Sequence, residues 1–152
     1  MMNLDDALSD LTSLGIDTPA IIYFIEAHPQ YDPLVTEVFR RIDQGLFTGI
    51  TSVVALSEVL VQPIRQENDE LQEEYCNLLL ESANFQTLPI DSNLAERAAG
   101  LRVRYNLRTP DAFQIAAALA GGCEAFLTND ATFKRVSEVR ILILDELEIV
   151  QS

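Results

Sequence analysis

Four acidic side chains occupy places where a carboxylate can do chemistry. Asp17 follows the short apolar stretch Leu14-Gly15-Ile16 and precedes Thr18-Pro19. Glu58 lies in Thr51-Ser52-Val53-Val54-Ala55-Leu56-Ser57-Glu58-Val59-Leu60, which reads as the end of a strand running into a helix. Asp111 stands near the start of Arg108-Thr109-Pro110-Asp111-Ala112-Phe113-Gln114-Ile115-Ala116, and Asp130 ends Phe126-Leu127-Thr128-Asn129-Asp130. Carboxylates gathered at one mouth repel one another and repel phosphates. A hard divalent cation removes that repulsion, prefers oxygen ligands, keeps several waters and makes water more acidic. The chemistry expected of such a cluster is binding of a divalent metal and activation of its bound water. Asp17 and Asp111 are the first choice for direct ligands, because both fall at rigid element ends. Glu58 and Asp130 either bind the metal, directly or through water, or orient the attacking water.

Each acid also has an ordinary structural role. Asp17 can cap the helix that Thr18-Pro19 begins. Asp111 falls in a first turn, where the helix dipole favours a negative charge. Asp130 can cap the short turn Ala131-Thr132-Phe133. Glu58 has Val54, Ala55, Val61 and Gln62 at helical distance, so it sits at a wet rim or faces a cation. The company the four acids keep favours the cation.

The elements that must hold these residues alternate between helix and strand. Leu4, Leu8 and Leu11 predict a helix over 3–13. Ser13-Leu14-Gly15-Ile16 predicts a first strand, followed by a helix through Ile25. Asp32 and Pro33 begin the next helix and Gly45 ends it. A buried strand over 47–51 leads to a helix opened by Ser52 and broken by Pro63. A long helix is expected over 65–82, then a strand over 85–90, then a helix capped by Asp91. Thr109 is expected to cap the following helix, with Pro110 at its first position. Gly121-Gly122 ends that helix. The strands Ala125-Phe126-Leu127-Thr128 and Ile141-Leu142-Ile143-Leu144 are unbroken in apolar character, as parallel strands are. In such open sheets ligands bind at the carboxyl ends of the strands. Arg97, Arg102, Arg104 and Arg108 precede Asp111 and make up four of the ten basic residues. They either balance charge on an exposed helix or contact phosphates.

The 152 residues, 48% of them hydrophobic, suffice for one domain with a substantial core. A net charge of −14 is unusual for a protein that grips nucleic acid by a broad basic face, and leaves room for a local basic lip or a metal that supplies positive charge. One histidine, His28, gives little support to a histidine-based metal site or triad. Cys76 and Cys123 lack metal or redox spacing and read as reduced thiols of a cytoplasmic protein. The opening Met-Met-Asn-Leu-Asp-Asp does not resemble a signal peptide, and no apolar run is long enough to span a membrane.

With these motifs in this order the sequence resembles the PIN-domain ribonucleases, including toxins of the VapC type, over about residues 14–145. The likeness runs through Ile16-Asp17-Thr18, Thr51-Ser52 with Glu58-Val59-Leu60, Arg108-Thr109-Pro110-Asp111-Ala112, and Leu127-Thr128-Asn129-Asp130. It implies a single PIN-like domain over 1–152, a three-layer α/β/α fold with a mostly parallel four- to five-stranded sheet. Helix 3–13 is an addition that many relatives lack. The resemblance further implies Mg2+- or Mn2+-dependent cleavage of RNA, often by a homodimer, and in the toxins an antitoxin partner. Asp17, Glu58, Asp111 and Asp130 would form the acidic site, supported by Thr18, Ser52, Thr128 and Asn129. Arg102, Arg104 and Arg108 are candidate RNA contacts. The helix at 19–26 and the helix at 65–82 are candidates for self-association. A receiver-like or haloacid-dehalogenase-like phosphoryl-transfer site fits less well. The Asp-x-Asp pattern is missing after the first strand, and Lys134 is the only lysine. The non-enzymatic alternative is a PIN-like interaction or regulatory module.

Overall fold

The computed structural model describes residues 1–150. Its main sheet has five parallel strands: β2 (Ser13–Ile16), β3 (Thr48–Ser52), β4 (Phe85–Leu88), β5 (Ala125–Thr128) and β6 (Arg140–Ile143). They lie in the order β4-β3-β2-β5-β6. The chain therefore leaves β2 toward one edge through β3 and β4, then returns to the other side of β2 as β5. The crevice between the carboxyl ends of β2 and β5 is the topological switch point of the sheet, the usual place for a ligand in this architecture.

Period-two alternation distributes the strand side chains between two helical layers. Leu14, Ile16, Ala125 and Leu127 join one core with α1 (Leu4–Leu8), α2 (Thr18–Ile25), α3 (Asp32–Asp43), α4 (Val53–Arg65) and α5 (Asp69–Glu81). Ile50 and Phe126 face the other core, with α6 (Ser92–Tyr105) and α7 (Thr109–Ala120). The result is the expected three-layer α/β/α fold. Gly15 lets α7 come close to the central strand. A Cβ there would stand 2.7 Å from Phe126 Cδ1 and 2.8 Å from Ala118 Cβ. Small residues on both surfaces thus seat α7 tightly and fix where its N-terminus, bearing Asp111, can lie.

Several local expectations are corrected. The helix expected over 3–13 is only α1, Leu4–Leu8, preceded by β1 (Met2–Asn3). β1 pairs in parallel with β7 (Leu147–Glu148), so the N-terminal segment is drawn into a two-stranded sheet. The Leu4, Leu8 and Leu11 stripe is buried as expected, but Leu11 reaches the core beyond the helix end.

Pro63 does not stop α4, which runs on to Arg65. Pro63 lies in the last turn, and its carbonyl helps to close the helix. Asn68 N–H donates to Pro63 O at 2.8 Å and Glu67 N–H to Ile64 O at 3.1 Å, with Glu67 in the left-handed region at φ 53°. This pair of bonds is a Schellman closure. The helix expected over 65–82 is accordingly shortened to α5, Asp69–Glu81, with Asn68 as its side-chain cap.

At the head of α7, Thr109 is the first helical residue rather than the cap. Arg108 holds the cap position without a side-chain cap bond, and Pro110 stands one residue later than expected. The extended backbone of Arg108 enters the helix directly, and its side chain is engaged by Asp111 instead.

Candidate active site

Strand register places the first acid. Ile16 pairs with Leu127, so the next residues, Asp17 and Thr128, emerge side by side at the switch point. Asp17 N–H donates to Leu127 O at 2.9 Å. Asp17 caps α2 by accepting from Thr18 N–H at 2.9 Å through Oδ1. Its Oδ2 accepts from the Thr128 hydroxyl at 2.7 Å. Asp17 is only 6% exposed. Burial pushes its carboxyl up to about 6, and the nearby negative charge of Asp111 adds to that rise. The bonds from Thr128, Thr18 and Gln114 oppose it without cancelling it.

A chain of neutral hydrogen bonds supports this wall. Ser52 caps α4 by accepting from Val54 N–H, and its hydroxyl donates to Gln114 Oε1 at 2.6 Å. Gln114 Nε2 reaches Thr18 Oγ1 at 3.5 Å, and the Thr18 hydroxyl donates to Glu58 Oε1 at 2.7 Å. Ser52, Thr18, Gln114 and Thr128 are all buried, and among the described residues no buried side-chain polar atom lacks a partner. Gln114 was not singled out by sequence reasoning. Its signal is its position, three residues after Asp111, as the one amide in the apolar stretch Ala112–Ala118. An uncharged polar group buried in such a helix needs a partner.

The other acids stand further out. Glu58 is exposed and touches the site through Thr18, which places it at the wet rim. Asp111 is half-buried and binds Arg108, with Nε to Oδ2 at 3.0 Å and Nη2 to Oδ1 at 3.4 Å. Asp130 follows Thr128 and donates its N–H to the Thr128 hydroxyl at 3.2 Å. Its carboxylate caps the 3-10 turn Ala131–Arg135 through Thr132, at 2.9 Å to the N–H and 2.8 Å to the hydroxyl. Asn129 turns away from Asp17: its Oδ1 accepts from Asp145 N–H at 3.0 Å.

The basic cluster divides. The Arg108 guanidinium is held in its charged form by Asp111 first, and it also feels Asp130 and Glu58. Arg104 pairs with Glu138 at 3.1 Å and lies 5.8 Å from the Tyr105 ring centroid. Arg102 donates to Leu107 O at 3.4 Å.

The donor set is all oxygen, which suits a hard cation such as Mg2+ or Mn2+. Among the described residues no three acidic, histidine or cysteine side chains close into a cage. Mg2+ is ordinarily held by one or two carboxylates with several waters, so oxygen donors such as Asp17, which feels the charge of Asp111, suit it without a closed cage.

A parallel sheet flanked by helices, with Asp17 and Asp130 just beyond the carboxyl ends of the neighbouring strands β2 and β5, defines a compact α/β/α domain with acids at its topological switch point. The PIN domain family model matches residues 15–139, and the chain belongs to that family. Solved structures that share the fold include the following three. One is the VapBC2 complex of Rickettsia felis bound to a promoter DNA fragment, at TM-score 0.68 and 15% identity, covering 86% of this chain and 98% of that one. A toxin–antitoxin complex from Klebsiella pneumoniae gives TM-score 0.62 and 21% identity, with 87% and 97% covered. The sarcin–ricin-loop-cleaving toxin VapC20 of Mycobacterium tuberculosis gives 0.63 and 16% identity, with 84% and 98% covered. No curated protein sequence matches the chain. None of the helices among the described residues is long and apolar enough to cross a membrane.

Proposed function

We propose that this protein is a Mg2+- or Mn2+-dependent endoribonuclease acting as the toxin of a toxin–antitoxin pair. The observation that carries the reading is the placement of Asp17 and Asp130 at the carboxyl ends of β2 and β5, with Asp111 within electrostatic reach of Asp17. Membership of the PIN family and the shared fold with toxins of VapBC complexes support it.

Asp17 and Asp111 would hold the metal. It would supply positive charge to the scissile phosphate and make water a better nucleophile. Thr128 and Gln114 keep the Asp17 carboxylate aimed at the crevice. Glu58 and Asp130 each use only one carboxylate oxygen in their bonds to Thr18 and Thr132, so the other can accept the proton of the attacking water. Water adds to phosphorus, the bridging P–O bond breaks, and the leaving oxygen takes up a proton. Thr18, Ser52 and Thr128 act as positioning residues, whereas the Asn129 side chain is engaged with Asp145. Arg102, Arg104 and Arg108 are proposed to meet RNA phosphates, with Arg108 nearest the acids.

Apolar side chains on the outer helices provide surfaces for an antitoxin or for a second copy. Val61 and Ile64 on α4 and Leu80 on α5 are about half exposed. A cytoplasmic site of action suits the two free thiols.

The test is cleavage of a mixed RNA pool by purified protein, in millimolar Mn2+ and in EDTA, alongside Asp17→Asn and Asp111→Asn. Cleavage that needs the metal and is lost in both variants is expected. A protein that cuts no RNA in Mn2+, or two variants that cut at the wild-type rate, would favour the interaction-module reading instead.

A further inference from the structure

Arg108 is placed differently from the other basic residues. Its side chain is 75% exposed, yet its guanidinium lies along the Asp111 carboxylate, which is 14% exposed. Asp111 is the only hydrogen-bond partner of that guanidinium among the described residues. Both Asp111 oxygens are engaged, at 3.0 and 3.4 Å. The same guanidinium feels Asp130 and Glu58, and Asp17 in turn feels Asp111. One exposed cation therefore neutralises the carboxylate that faces the buried acid. The other walls of the site offer no such charge: Ser52, Gln114, Thr18 and Thr128 are neutral.

A divalent cation on Asp111 and a guanidinium on the same carboxylate repel each other at a few ångströms. Long, exposed arginine side chains gain little from a surface pair and give it up at small cost.

We propose that Arg108 is a tethered counter-ion, which neutralises Asp111 in the metal-free protein, gives way to the divalent cation and then stands at the lip to meet a phosphate. The inference rests on the metal-site reading above and adds to it a role for a residue outside the acid set. It predicts effects of opposite sign. Removing the arginine relieves competition with the metal, so metal binds more tightly. The same change removes a phosphate partner, so RNA binds less tightly. A residue that only starts α7 would move both in the same direction, through stability.

The experiment is Mn2+ binding followed by the electron paramagnetic resonance of free Mn2+, for wild type, Arg108→Gln and Arg108→Lys, at low and at physiological salt. Arg108→Gln should bind Mn2+ roughly three- to tenfold more tightly at low salt, with a smaller gain at higher salt. Arg108→Lys should stay close to wild type. In EDTA the Arg108→Gln protein should melt slightly below wild type, and in Mn2+ level with it or above. KM for RNA should rise in Arg108→Gln with little change in kcat. Arg108→Gln that binds Mn2+ no better than wild type overturns the counter-ion role while leaving the metal site standing. Wild type and both variants that bind no Mn2+ would overturn the metal reading and the counter-ion role together.

Discussion

On the inner wall of the acidic mouth Asp17 is buried and held by Thr128, by Thr18 N–H and by the Ser52–Gln114–Thr18 chain. On the outer wall Asp111 and Glu58 meet water, and one exposed arginine supplies the positive charge. The two walls carry the same functional group in opposite surroundings. Desolvation makes charge costly on the inner wall and pushes the Asp17 carboxyl up to about 6. The outer wall is open to water at Glu58 and carries the exposed Arg108 guanidinium beside Asp111. The inner wall is therefore rigid and poised to gain from an added cation, whereas the outer wall can rearrange around one.

The largest effect is expected at Asp17. Its folded-state value of about 6 lies above the ordinary 3.8. The folded protein thus binds more protons than the unfolded chain between those values, and Asp17 costs stability as pH rises through that window. The full cost, up to about 3 kcal/mol, is present above pH ~6 and absent below pH ~4. In EDTA, Asp17→Asn should melt higher than wild type at pH 8, by roughly 2–4 °C for each kcal/mol gained. The difference should vanish at about pH 4, and RNA cleavage should fall by more than about a hundredfold. Melting curves that stay parallel from pH 4 to 8 would mean that Asp17 is not strained by burial.

Gln114→Leu comes next and tests whether the neutral chain sustains the inner wall. It strips Ser52 and Thr18 of a buried partner, at about 1–3 kcal/mol. Chemical denaturation should show this destabilisation, and cleavage should fall because Thr18 and Glu58 lose their support. If stability is unchanged, the inner wall is held by packing alone.

Glu58→Gln should barely alter stability, by no more than about 0.5 kcal/mol, because the residue is exposed and the amide oxygen still accepts from Thr18. Cleavage should drop about 10- to 100-fold, since the charge is removed from the open side. A variant as active as wild type would confine the chemistry to Asp17, Asp111 and Asp130.

The smallest effect is expected from Arg102→Gln with Arg104→Gln. Arg104 already pairs with Glu138 and Arg102 with a backbone carbonyl. RNA affinity should weaken evenly across sequences, and the salt slope should fall by about one for each phosphate that an arginine no longer neutralises. An unchanged slope would leave Arg108 as the single phosphate-facing base of the group.

The alternation of helix and strand, and hence the layered fold, was legible in local patterns. Apolar strands such as Ala125–Thr128 and caps such as Asp91 and Asp130 are set by periods and hydrogen bonds within a few residues. Thr109 and Pro63 misled because several neighbouring residues can begin or end a helix at nearly equal cost. The choice fell to the Arg108–Asp111 pair and to the Schellman closure after Arg65. The helix expected over 3–13 was shortened by a partner far along the chain, β7, which local periodicity does not reveal.

By itself the sequence determined which acids exist, where along each element they fall, and that an apolar helix begins beside Asp111. Only the tertiary structure decided that Asp17 is the buried acid and Glu58 the wet one, and that Gln114 joins Ser52 to Thr18. The reason is that burial and long-range hydrogen bonds depend on register and on helix seating. Here those are set by Ile16 beside Leu127, and by Gly15 beneath Ala118, pairs that stand more than a hundred positions apart in the chain.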